Sequence, residues 1–159
     1  MLDKCRNAKE RWGGVSEIID TWLEERQLLI SQYVALPQKS VARELTEQAE
    51  LFCEVLMDYL SSGHFEVYEQ LLREGKEFHD GSLEEAQKIY GKIQPTTDRA
   101  LDFNDNFSNI ADPTLQQVRE FLEALSQLGE SLEERFALED QMIEVVHNSH
   151  RDLVMAEEA

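Results

Sequence analysis

Residues that staple or break a chain are scarce in this 159-residue sequence, which holds two cysteines, three prolines and seven glycines. Cys5 and Cys53 stand far apart and outside any Cys-x-x-Cys or Cys/His spacing, which argues against a disulfide framework or a thiolate zinc site and fits reduced cytosolic thiols. Basic charge is short as well. Fifteen Lys and Arg face 33 Asp and Glu, a formal net charge of -18. That field repels phosphate backbones and anionic lipid, so direct nucleic-acid binding and membrane association are not expected. No apolar run approaches the roughly 20 residues of a membrane helix. The start, Met1-Leu-Asp-Lys-Cys-Arg-Asn7, lacks the apolar segment of a signal peptide, so the expected location is the cytoplasm.

What is present is helical periodicity, with no clean period-two alternation over a strand's length. Val15, Ile18, Ile19, Trp22, Leu23, Leu29, Ile30, Tyr33 and Val34 recur every three or four residues after Gly13-Gly14 and stop before Pro37. A second helix is predicted from an N-cap at Ser40. It carries Val41, Leu45, Ala49, Phe52, Cys53, Leu56 and Leu60 on one face until Ser61-Ser62-Gly63 interrupts it. A short third helix follows from Phe65 to Glu77, with Val67, Tyr68, Leu71 and Leu72 on its apolar side. The fourth opens on a capping box at Ser82-Leu-Glu-Glu85 and holds Leu83, Ala86, Tyr90, Ile93, Thr97, Leu101 and Phe107 in period, with a kink expected at Pro95. The last begins at Asp112-Pro113 and runs through Leu115, Val118, Leu122, Leu125, Leu128, Leu132, Phe136, Ile143 and Val146. These segments imply one domain over residues 1–159, with loose ends at 1–14 and 155–159. The fold class is all-α, an antiparallel up-down four-helix bundle with a short additional bridging helix.

Catalytic and metal chemistry find little foothold. Glu144-Val-Val-His147, with His150 a turn further on, matches the Glu-x-x-His element of di-iron bundles, but no second copy accompanies it. His64-Phe-Glu66 lacks the Pro-Cys-x-x-Cys that would complete a zinc deaminase site. Phosphate-binding Gly-Lys-Ser/Thr loops, Gly-x-Ser-x-Gly elbows and His-Glu-x-x-His are all absent. The expectation is a protein without enzymatic activity, cofactor or bound metal, with a hemerythrin-like bundle as the remaining metal alternative.

The second helix carries a stronger signal. At about 100° per residue, Glu44, Glu47, Glu50, Glu54 and Asp58 cluster within roughly 120° opposite the apolar face. Like charges at these spacings cost an isolated helix a few tenths of a kcal/mol per pair, so helix stability does not explain the ribbon. A solvated face is the plain alternative. Leu51 falls inside the acidic arc, and the ribbon runs on to Asp58, Ser61 and Phe65. Charge, hydroxyl and aromatic anchor together suit a partner helix with basic edges. Capping by Ser61 and core packing of Phe65 are the structural readings of the same residues.

Asp58-Tyr-Leu-Ser-Ser-Gly-His-Phe-Glu-Val-Tyr-Glu-Gln-Leu-Leu72 resembles the central motif of the Rsd/AlgQ family, bacterial anti-sigma factors also described as regulators of alginate production. Cys5-Arg-Asn-Ala-Lys-Glu-Arg-Trp-Gly-Gly-Val15, Ile19-Asp-Thr-Trp-Leu23 and Gly129-Glu-Ser-Leu-Glu-Glu-Arg-Phe-Ala-Leu-Glu-Asp140 are similar to its other blocks. Departures fall around 38–44, 74–82 and the tail. The resemblance implies a helical bundle that binds the C-terminal domain of the primary sigma-70-type sigma factor, a basic helix-turn-helix module, and withholds it from promoter DNA and core RNA polymerase. It places the contact at Asp58, Ser61 and Phe65, to which the ribbon adds Glu54, Leu51 and Glu50. A free monomer is expected. The alternative is a helical adaptor that binds another regulatory protein through the same acidic face.

Overall fold

A computed structural model describes residues 8–38 and 42–156, which are helical apart from short connections. Helix α1 spans Ala8–Ala35 and closes in a 3₁₀ turn, Leu36–Gln38. Helix α2, Ala42–Ser62, passes through a π turn at Gly63–Val67 directly into α3, Tyr68–Phe78. Helix α4 covers Ser82–Phe107, and α5 covers Leu115–Met142. A second π turn, Ile143–His147, and a 3₁₀ turn, Asn148–His150, lead to α6, Arg151–Ala156.

Neighbouring helices run antiparallel, as expected for an up-down bundle. Along α1 and α2, Trp22 meets Tyr59 while Tyr33 meets Phe52. Along α4 and α5, Phe103 meets Phe121 while Arg135 reaches Thr96. Phe52 packs edge-on against Phe103 with ring centroids 6.0 Å apart, which joins the two pairs at one end of the core. Edge-to-face pairs of this kind contribute about 0.5–1.5 kcal/mol beyond their buried area.

The predicted break at Ser61-Ser62-Gly63 is instead an unbroken helical path. Buried positions recur every three or four residues through Phe52/Cys53, Leu56, Tyr59/Leu60 and Gly63. The step then widens to Val67/Tyr68 before Leu71 and Glu74/Gly75 resume the period. A π turn absorbs one extra residue, so both flanks keep their apolar faces on the core.

Other boundaries also shift. Helix α1 begins before Gly13-Gly14, and the Trp12 indole stacks on His147 at 4.2 Å. The Ser82 box is not formed: Gly81, at φ 89°, is the N-cap of α4, and the Ser82 amide donates to Asp80 Oδ1 at 3.1 Å. Thr114, not Asp112, caps α5. Its hydroxyl accepts from the Gln117 amide at 3.1 Å, and the Gln117 side chain accepts from the Thr114 amide at 2.8 Å. Pro95 lies inside α4 without dividing it, and the adjacent Thr96 hydroxyl donates to the Ile93 carbonyl at 2.6 Å. Val34, Leu101, Leu115 and Leu122 are exposed although they fit the apolar period; singly exposed apolar side chains are common on folded proteins. The predicted Ser40 cap, Val41 and the residues 157–159 of the acidic tail lie outside the described residues.

Candidate docking face

The six residues singled out on α2 and its continuation are all exposed. Glu50, Leu51, Glu54, Asp58, Ser61 and Phe65 share one outer surface, with Leu51 at 45% and Phe65 at 80% of full exposure. Core packing of Phe65 is thereby overturned, and Ser61 lies mid-helix with no terminus to cap. Two shallow grooves border this surface. One, between α2 and the end of α4, is lined by Glu50, Glu54 and Asp58 together with Asn104 and Ser108. The other, between α1 and the π turn, is lined by Glu17, Glu25 and Glu66 together with Trp22 and Ser62. There burial pushes the Glu25 carboxyl up from its ordinary value, Ser62 works against this by hydrogen bonding, and the charges of Asp58 and Glu66 add to it. The face is a dense field of carboxylates around one bare aromatic ring.

Behind it lies a buried polar network that hydrophobic periodicity does not reveal. Glu139 and Arg135 on α5 are almost fully enclosed. Tyr59 donates to Glu139 Oε1 at 2.5 Å, and Tyr68 donates to the other oxygen, Oε2. Arg135 Nε donates to Oε2 at 3.2 Å while its Nη2 donates to the Tyr68 hydroxyl at 2.9 Å. Arg26 donates to the Tyr59 hydroxyl at 3.0 Å and to Asp140 Oδ1 at 2.6 Å. Burial raises the Glu139 carboxyl above its ordinary value against the pull of Arg135, the two phenols and Arg26. Such a group is tolerated in a core only when its oxygens are satisfied, as they are here.

Two adjacent residues of the π turn part to opposite sides. Phe65 points outward, whereas His64 turns in to Thr97 Oγ1 at 3.0 Å, with Arg135 Nη2 3.4 Å from the same ring nitrogen. A guanidinium only donates, so that nitrogen, Nε2, acts as an acceptor and the ring is neutral. Burial, and then the Arg135 charge, hold His64 below its ordinary value.

The Glu144-x-x-His147 spacing does not converge on a metal. Glu144 is exposed and accepts from the Asn148 amide group at 2.8 Å, while the second π turn buries His147. His147 Nδ1 lies 2.9 Å from Glu74 Oε2 and its Nε2 2.9 Å from Ser16 Oγ. His150 turns to Asp80 at 2.6 Å and stacks on Phe78. Among the described residues no group of three or more His, Cys, Asp or Glu could hold a metal ion. Ser16, His147 and Glu74 stand in the order of a nucleophile, base and acid. Ser16 sits in the body of α1, however, where backbone amides are spent on the helix and none is left for an oxyanion. The trio ties α1, α3 and the π turn that follows α5 together. Cys53 is buried, and burial pushes its thiol up to about 12, an inert state.

No helix among the described residues is long and apolar enough to cross a membrane. No solved structure matches the chain. Regulator of sigma D of Yersinia enterocolitica is 36% identical over 149 residues, covering 91% of this chain and 89% of that protein. Regulator of sigma D of Salmonella paratyphi B is 38% identical over 157 residues, covering 96% of this chain and 95% of its own. The same protein of Salmonella newport is also 38% identical over 157 residues. Residues 1–147 match the family described as regulator of RNA polymerase sigma(70) subunit, Rsd/AlgQ. With a match of that extent, the chain belongs to the Rsd/AlgQ family of regulators of the RNA polymerase sigma(70) subunit.

Proposed function

We propose that this protein is an anti-sigma factor that binds the basic C-terminal promoter-recognition domain of the primary sigma factor and withholds it from promoter DNA and core RNA polymerase. The observation that carries the reading is Phe65, 80% exposed at the end of the acidic ribbon of a chain with this family membership. Glu50, Glu54 and Asp58 offer carboxylates to arginines and lysines that otherwise meet DNA phosphates, Ser61 adds a hydrogen-bonding group, and Leu51 and Phe65 supply apolar contact. A charge-complementary face of this kind speeds encounter and excludes acidic competitors. When free of its partner the protein is a monomer in the cytoplasm, and it works without enzymatic activity, cofactor or direct nucleic-acid contact.

Titration of the full chain against the isolated C-terminal domain of the sigma factor tests the reading. Binding is expected, weakened by salt and by Phe65→Ala. A folded protein with no measurable binding to that domain would refute it.

A further inference from the structure

We infer that the π turn at Gly63–Val67 sets the register of the docking face, and that Glu139 is the positioning residue that holds the turn through the Tyr59 and Tyr68 hydroxyls. The inference rests on the docking reading above and adds to it residues that a partner does not touch.

Tyr59 follows Asp58 directly, and Tyr68 lies three residues beyond Phe65. The stretch that carries Ser61 and Phe65 is therefore flanked by two tyrosines whose hydroxyls end on different oxygens of one carboxylate. The upstream flank is fixed a second time. Trp22 lies flat on the Tyr59 ring, centroids 4.8 Å apart, and its indole N–H donates to the Tyr59 carbonyl at 3.1 Å. Downstream, Arg135 holds the Tyr68 hydroxyl and reaches His64 inside the turn itself.

A π turn carries i→i+5 bonds where an α-helix carries i→i+4. Relaxation of Gly63–Val67 to α geometry would rotate everything after it by one residue step, about 100°, relative to what precedes it. Asp58 and Ser61 would keep their place and Phe65 would leave theirs, or Tyr68 would swing away from Glu139. The two arrangements are discrete. Two phenols on one carboxylate select the π form, because only that form lets both reach it.

Tyr68→Phe and Glu139→Gln in the full chain test this. Losing a hydrogen bond to a charged group should weaken binding of the sigma C-terminal domain by about tenfold. Amide hydrogen exchange is the second readout: it should accelerate by a similar factor at 63–67 while the α4 and α5 cores keep their protection. Unchanged exchange at 63–67 in Tyr68→Phe, or protection lost evenly along the whole chain, would overturn the inference. Tyr68→Phe removes one hydroxyl only and decides the matter if Glu139→Gln fails to fold. Phe65→Ala separates the two claims: if it binds as wild type, the docking reading fails, while exchange at 63–67 still decides the register.

Discussion

Gly63 faces Trp22 so closely that a Cβ on Gly63 would stand 3.2 Å from the indole Cζ2 and 3.2 Å from the Tyr68 ring and hydroxyl. Neither ring has room to retreat, since Trp22 and Tyr68 are both buried. Gly63→Ala is therefore expected to cost about 1–3 kcal/mol by overpacking, read as a lowered midpoint in urea with unchanged slope. An alanine that left the midpoint in place would show that the turn gives way easily.

Phe65→Ala and Asp58→Ala should separate binding from folding. Both side chains are exposed, so thermal stability should hardly move, while affinity for the sigma C-terminal domain falls by about 1–3 kcal/mol for each. Calorimetric titration beside a melting curve checks both halves of this expectation.

Arg135→Met should act in the opposite way. It leaves Glu139 buried and the Tyr68 hydroxyl short of a donor, and breaking a buried pair from one side costs about 3–5 kcal/mol. Denaturant unfolding measures it. A loss under about 1 kcal/mol would mean that water replaces the guanidinium.

His64 gives a pH dependence with a definite sign. Its folded value is held below the ordinary one by burial and by Arg135, so the unfolded chain takes up the proton first. Stability from this residue is complete above about 6.5 and declines as pH falls through that value. His64→Gln should flatten the slope between the ordinary and folded values. The difference between the two unfolding profiles isolates it from the other histidines.

Asp80 should show itself at lower pH. Ser82 and His150 hold its carboxyl below the ordinary range, so it contributes stability above about 3.9 that is lost as pH falls further. Asp80→Asn should remove that acid-side loss and little else, as followed by circular dichroism between pH 5 and roughly 2.

The outer face was legible because it follows elementary periodicity: an acidic residue every three or four positions on α2 places Glu50, Glu54 and Asp58 on one side whatever the partner. The bundle followed from the same period. Hidden were the interior charges. Arg26, Arg135, Glu139 and His147 carry no hydrophobic signal that marks them as interior, since charge ordinarily belongs to the surface, yet Arg135 and Glu139 fall on the stripe of Leu128, Leu132 and Met142. A charged pair at core positions, four residues apart, is the trace such a network leaves in sequence. The π turn left a trace too, since the buried pair Val67/Tyr68 is centred between four and five residues beyond Gly63, where the other steps are three or four. Ser61-Ser62-Gly63 reads as a helix end because serine and glycine more often stop helices than lengthen a turn.

An aromatic ring left 80% uncovered is also a hazard to the molecule that carries it, since a second copy offers the same ring. The excess of carboxylates addresses this at long range: two copies with a charge of -18 each repel before their Phe65 rings can meet. That barrier is ionic and has a reach of about 10 Å at 0.1 M salt and about 3 Å at 1 M. The acidity that suits a basic partner is thus also a colloidal safeguard, and concentrated salt should remove both together, leaving a protein that releases its partner and begins to adhere to itself.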